Sequence, residues 1–240
     1  MTSLLPVLRQ AHNDNPWDDA TLHALRVDNT QIGFIPPSVM EVVQAYLADH
    51  PNTHLRIEDG ALTFAPETTV AQRTDEMNQM AVWMRDTKKF PDPLDGYLDN
   101  SVAGGITAGD SPRASVVREC FEEAGLARDQ VEPYLKQTGH ITYFYKTSLG
   151  WRQPEMQYTY DLALPSDAIQ LRPEDGEAES FELLDIPTVL QLMHKGEFKA
   201  NCCLVLADFF IRHGYLTAES DTHYAEIVTM LHTDLRLPTP

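Results

Sequence analysis

The chain predicts an α/β protein opened by a small α+β unit, and three observations point that way. Short alternating runs broken by turn residues mark hairpins within the first ninety residues. A longer, tyrosine-rich pair of alternating runs follows beyond residue 139. Helical segments with apolar residues on one face flank both and fill the C-terminal third. At 42% hydrophobic and 22% charged, the 240 residues can bury a core, as one large domain or two small ones.

Taken in order, LRVDNTQIGFIP reads as strand, turn, strand, ended by Pro36-Pro37. SVMEVVQAYLADH, opened by Pro37 and Ser38, carries Met40, Val43, Tyr46 and Leu47 at helical spacing. LRIEDGALTF alternates about Asp59-Gly60, a pair suited to a two-residue hairpin turn. A helix from about Thr69 to Met80 closes the unit. KKFPDPLDGY, Lys88 to Tyr97, is a loop by composition, either a linker between domains or a loop of the second one. A glycine turn, an acidic helix and the hairpin HITYFYKTSLGWRQPEMQYTYDLAL come next. On its arms Ile141, Tyr143 and Tyr145 alternate, as do Met156, Tyr158 and Tyr160. ANCCLVLADFFIRHG reads as a buried helix with Gly214 just past its end.

Charge narrows the function classes. With 18 basic against 36 acidic residues, the formal charge is -18. No basic face is available to track a nucleic-acid backbone, and anionic membrane surfaces would repel the chain. The expected partner is therefore a small molecule, with no nucleic acid and no membrane; the oligomeric state stays open. Three cysteines, two of them adjacent, match no secreted disulfide framework and no Cys-x-x-Cys zinc site. The first residues lack the basic and apolar regions of a signal peptide, and no apolar run approaches the ~20 residues of a membrane span. The expected compartment is the cytoplasm.

The most informative stretch is GGITAGDSPRASVVRECFEEAGL, Gly104 to Leu126. Ser111 can cap a helix and Pro112 fits its first turn. At 100° per residue, Val117, Cys120, Phe121 and Ala124 share one side. Glu119, Glu122 and Glu123 project opposite, with Arg118 flanking Glu122. Three carboxylates at one-turn spacing repel one another, and the helix C-terminus disfavours them as well. A divalent cation relieves both costs, and an all-oxygen donor set of this kind suits Mg²⁺ or Mn²⁺.

This stretch resembles the signature of the Nudix hydrolases, G-x5-E-x7-R-E-U-x-E-E-x-G-U, with U bulky and apolar. Gly104 is the opening glycine, and Arg118-Glu119-Cys120-Phe121-Glu122-Glu123-Ala124-Gly125-Leu126 fills the end in register. Asp110 stands at the first glutamate, one methylene shorter, and Cys120 at the bulky position. The resemblance implies a Nudix α/β/α sandwich with a mixed sheet over residues 89–240, preceded by a small α+β domain over 1–88. It implies that Glu119, Glu122 and Glu123 are metal ligands and that Arg118 holds one of them by a charge-assisted bond. Gly104-Gly105 would let the backbone approach a phosphate or a metal. A further catalytic or metal-binding glutamate is expected in the EDGE loop, at Glu177, although a plain solvated turn explains that loop equally well.

YLDNSVAGGITAG, DLALP, PEDGEAESFELLD and EFKANCCLVLADFFIRHGYL are similar to the Nudix branch related to thiamine pyrophosphokinase-associated domains. Its fungal and plant members are associated with hydrolysing oxidised or damaged thiamine diphosphate. That likeness implies Mg²⁺-dependent cleavage of a thiamine-type diphosphate to monophosphate and phosphate, with Glu119 or Glu177 as general base. Tyr143, Tyr145, Trp151 and Tyr158 have two roles open, stacking on a heteroaromatic ring or packing within the sheet. Lys88, Lys89, Arg113 and Arg152 are candidate phosphate contacts or surface charges, and Lys199 and Asn201 candidates for the pocket. Two other readings stand beside this one: a pyrophosphatase of ADP-ribose-like nucleoside diphosphate derivatives, and a non-catalytic diphosphate sensor. The three intact glutamates weigh against the sensor.

Overall fold

A computed structural model describes residues 2–86, 96–107, 109–146, 152–165, 169–176 and 178–238. The expected domain boundary at 88/89, Lys88, Lys89, Trp151 and Glu177 lie outside the described residues. The chain divides into two compact units. The first takes Met1–Ala11, Gly96–Ile141 and Met156–His232; the second takes His12–Asp95, Thr142–Glu155 and Thr233–Pro240. Helices and a mixed sheet make it an α/β protein.

In the first unit, the short helix α1 (Leu5–Leu8) opens the chain. In the second unit, β1 (His23–Val27) and β2 (Thr30–Ile35) pair antiparallel. Asp28 and Asn29 take the two left-handed positions of their turn, with φ of 49° and 67°. Helix α2 (Pro37–Asp49) starts where Pro36 ends the strand and buries Val39, Met40, Val43 and Tyr46. The hairpin β3 (Leu55–Glu58) and β4 (Ala61–Phe64) turns on Asp59-Gly60, as its sequence predicts. β1 meets β4 in parallel at Leu25 and Leu62, so the strand order is β2-β1-β4-β3.

Helix α3 (Val70–Asp86) runs beyond the expected end at Met80. Its apolar spacing continues, because Met80, Trp83 and Met84 all join the core formed by α2 and one face of the sheet. Thr69 and Gln72 start it reciprocally, each accepting a hydrogen bond from the other's backbone N–H.

In the first unit, α4 (Pro112–Glu122) and the single turn α5 (Arg128–Val131) precede a long hairpin. Its strands are β5 (Leu135–Lys146) and β6 (Arg152–Leu162). The expected alternation on β5 fails over Ile141–Phe144, where four consecutive residues are buried. Both faces are covered there. Thr142 donates to the Thr233 carbonyl, and the Phe144 N–H donates to His12.

Helices α6 (Ile186–Lys195), α7 (Ala200–Arg212) and α8 (Tyr224–Met230) complete the chain. α7 buries Cys202, Cys203, Leu204, Ala207 and Phe210. It closes on Gly214, at φ 73°, while the Leu216 N–H reaches back to the Phe210 carbonyl. Among the described residues no helix is long and apolar enough to cross a membrane.

Candidate active site

Local chemistry sets the start and the stop of α4. The Ser111 hydroxyl accepts from the Ala114 N–H at 3.1 Å, with Pro112 in the first turn. At the other end, Gly125 takes φ 65° and the Leu126 N–H returns to the Cys120 carbonyl at 3.0 Å. Val117, Cys120 and Ala124 are buried with Leu126, Val131 and Leu135, as helical projection predicts. Phe121 departs from that prediction: it is 61% exposed and borders an open groove of about 420 Å³ with Ala114, Val117 and Arg118. The core covers a narrower arc than the projection gave, and Phe121 lies beyond its edge.

Opposite the core lie the carboxylates. Glu119 is less exposed than Glu122, and its Oε1 accepts from Arg118 Nη2 at 2.8 Å. Arg118 also approaches Glu122 at 3.8 Å and Asp110 at 3.9 Å, so one guanidinium faces three acids. The Glu123 carboxylate accepts from the Ala103 N–H at 3.1 Å. Gly104 is held against Glu119 so closely that a Cβ there would sit 2.3 Å from the carboxyl carbon. Gly105 faces open space instead. Of the two glycines expected to admit a phosphate or metal, Gly104 is thus required by a protein carboxylate. Among the described residues, no group of three or more His, Cys, Asp or Glu side chains could hold a metal ion. Arg118 and the Ala103 N–H engage the carboxylates instead.

Burial, then the charges of Glu123 and Glu119, push the Cys120 thiol up to about 11. A thiol held in its neutral form at neutral pH is a core residue and not a nucleophile. All three cysteines are free and buried.

Tyr143 does not present a stacking surface. Its ring is fully buried in the second unit and its hydroxyl donates to Glu155. Arg152, a phosphate candidate, is likewise buried, paired with Asp14 at 2.9 Å and Asp19 at 2.8 Å. Arg113 donates to the carbonyls of Glu132 and Leu135. Lys199 sits at the N-cap of α7, with its Nζ 2.6 Å from Asp99 Oδ2.

Two residues near the helix escaped the sequence reading. Glu174, three residues before Glu177 in the same EDGE motif, lies against Gly125, where a Cβ would be 3.0 Å from its Oε1. The loop is pinned there by the Arg172 N–H, which donates to the Ala124 carbonyl at 3.0 Å. Asp99, inside YLDN, is the second; its only signal was its place just before the glycine turn.

A capped helix with a buried apolar face, an arginine among acids and a glycine closed on a glutamate are built by the residues aligned with the signature, Asp110 and Cys120 being its two departures. The NUDIX domain pattern matches residues 63–201, more than half of the chain. The chain belongs to the Nudix family. It is 40% identical over 152 residues to an uncharacterized protein of Saccharomyces cerevisiae, YJR142W, covering 59% of this chain and 44% of that protein. It is 35% and 32% identical over 143 residues to Nudix hydrolase 20, chloroplastic, and Nudix hydrolase 24, chloroplastic, of Arabidopsis thaliana. Each alignment covers 59% of this chain, and 37% and 38% of those proteins. The chain therefore spans less than half the length of each of these relatives.

Proposed function

We propose that the chain is a Mg²⁺-dependent Nudix hydrolase of thiamine-type diphosphates, oxidised or damaged forms included, releasing the monophosphate and phosphate. The observation that carries the hydrolase reading is the α4 acid face, with Arg118 bonded to Glu119 and Gly104 closed against the same carboxylate. The Nudix relatives support the reaction class. The substrate reading rests on the likeness of YLDNSVAGGITAG, PEDGEAESFELLD and EFKANCCLVLADFFIRHGYL to the thiamine-associated branch.

The chemistry of the donor set, three carboxylates within five residues, suits a hard divalent ion, although the three are not gathered as a metal-holding group in this structure. Glu119, Glu122 and Glu123 would hold it, Glu177 with them, and Mn²⁺ could replace Mg²⁺. Bound there, the ion supplies charge neutralisation for the diphosphate and a more acidic water. The protein's own residues do the rest. Arg118 fixes the Glu119 carboxylate, and the Ala103 N–H fixes that of Glu123. Water adds to a phosphorus, the anhydride P–O bond breaks, and the water proton passes to a carboxylate, Glu119 or Glu177.

The test is phosphate release at millimolar Mg²⁺ from thiamine diphosphate and its oxo and oxy analogues, with Glu123→Gln as control. ADP-ribose with a coupled phosphatase forms the contrast. Glu123-dependent turnover of the thiamine compounds is expected. Turnover of ADP-ribose alone would overturn the substrate reading, and inactivity on all of them would overturn the enzyme.

A further inference from the structure

Asp99 and Lys199 lie one hundred residues apart in sequence and meet through a short parallel ladder. Leu98 and Phe198 form a bridge in which the Leu98 N–H donates to the Glu197 carbonyl and the Lys199 N–H to that of Leu98. The side chains that follow, Asp99 and Lys199, then pair at 2.6 Å. Asp99 is further fixed by the buried Cys202 thiol at 2.8 Å and by the Asn100 N–H at 2.7 Å. Burial works to raise its pKa, but the bonds from Cys202, Lys199 and Asn100 outweigh it and keep the carboxylate ionised. Its side chain nevertheless remains 41% exposed.

The pair is tied to the α4 acid face. Four residues beyond Asp99, the Ala103 N–H donates to Glu123, and Gly104 abuts Glu119. A fully extended chain of that length spans at most about 14 Å. The pair therefore stands within the reach of one small organic diphosphate from the carboxylates. It is a poor phosphate grip, because the lysine charge is cancelled at contact distance by Asp99. What it offers is one acceptor-only group beside one donor-only group.

We infer that Asp99 and Lys199 form the specificity-determining couple for the organic half of the substrate. The chemistry they fit is an organic group with a hydrogen-bond donor and acceptor on adjacent positions, as on an amino-substituted nitrogen ring, the donor facing Asp99 and the acceptor facing Lys199. This assignment rests on the proposed diphosphatase reading.

The experiment compares Asp99→Asn and Lys199→Met with the unmodified chain. One measurement is steady-state hydrolysis of thiamine diphosphate and its oxy analogue. The other is competitive inhibition by methylene diphosphonate, which carries two phosphonates and no ring. In both variants KM for the ring-bearing substrates is expected to rise about tenfold, the effect of roughly one lost hydrogen bond to a charged group, with Ki for the diphosphonate unchanged. Equal losses for both probes, or no change in KM, would overturn the couple while leaving the diphosphatase standing. Should one variant fail to fold, judged by its melting curve, the other carries the same comparison. An unmodified chain inactive on every diphosphate would overturn the reading beneath it, a different and recognisable result.

Discussion

Gly104 and Glu119 are packed so tightly that a Cβ at position 104 would lie 2.3 Å from the Glu119 carboxyl carbon and 2.6 Å from each of its oxygens. Gly104→Ala therefore displaces Glu119 from Arg118 or shifts the turn. On the proposed function, kcat for diphosphate hydrolysis should fall about a hundredfold, the scale for a misplaced catalytic group. Gly105→Ala, which meets open space, should stay within about threefold of the unmodified chain. Equal effects at the two positions in steady-state assays would refute the steric argument.

Arg118 faces Glu119, Glu122 and Asp110 with one planar fork. Lysine keeps the charge but concentrates it at one point. On the proposed function, Arg118→Lys should cost about 10–100-fold in kcat, the scale for a residue that orients metal ligands, with little loss of thermal stability. A parallel fall in melting temperature would show that the arginine is a structural clamp.

The Ser111 cap can be tested apart from catalysis. Removing its acceptor in Ser111→Ala leaves the Ala114 N–H without its partner and should destabilise the chain by about 1 kcal/mol. A thermal melt should register about 2–4 °C. Ser111→Asp should restore it, since aspartate caps as well as serine does.

The buried thiols give the protein an alkaline limit. Cys120 is pushed from 9.0 to about 11 and Cys203 to about 12, the latter by burial alone. The folded chain keeps these protons at a pH where the unfolded chain releases them. Their contribution to stability is full below about pH 9 and is lost as pH rises from there towards the folded values. Melting temperature should therefore fall above pH 9, less steeply in Cys203→Ala. At pH 8 a thiol reagent should modify the native protein slowly and all three cysteines rapidly in urea. Fast native labelling would contradict the burial.

Helix α4 was legible because its cap, its buried face and its acids lie within one short stretch and obey one periodicity. Phe121 was misread because projection gives direction on the helix and not the width of what packs there. Tyr143 was placed correctly on a strand, yet its burial depends on coverage of β5 from both sides, which alternation does not encode. Lys199 was already a pocket candidate, but its pairing with Asp99 was beyond reach for a different reason. Nothing local in YLDN or FKAN records that a parallel ladder between Leu98 and Phe198 brings them together. Glu174 sat in plain view within EDGE. Only the hydrogen bond from Arg172 to the Ala124 carbonyl ranks it above its neighbours as a companion of the helix end.

The second unit draws on three separate parts of the chain, and its buried pairs join them. Arg152 from the hairpin is ion-paired with Asp14 and hydrogen-bonded to Asp19, and the Trp17 indole donates to the Leu235 carbonyl near the far end of the sequence. A fragment ending at residue 95 would keep the sheet and strand these partners. Such a unit cannot be excised from the chain by a single cut. Any fragment meant to hold it must keep the hairpin tip and the tail that complete it.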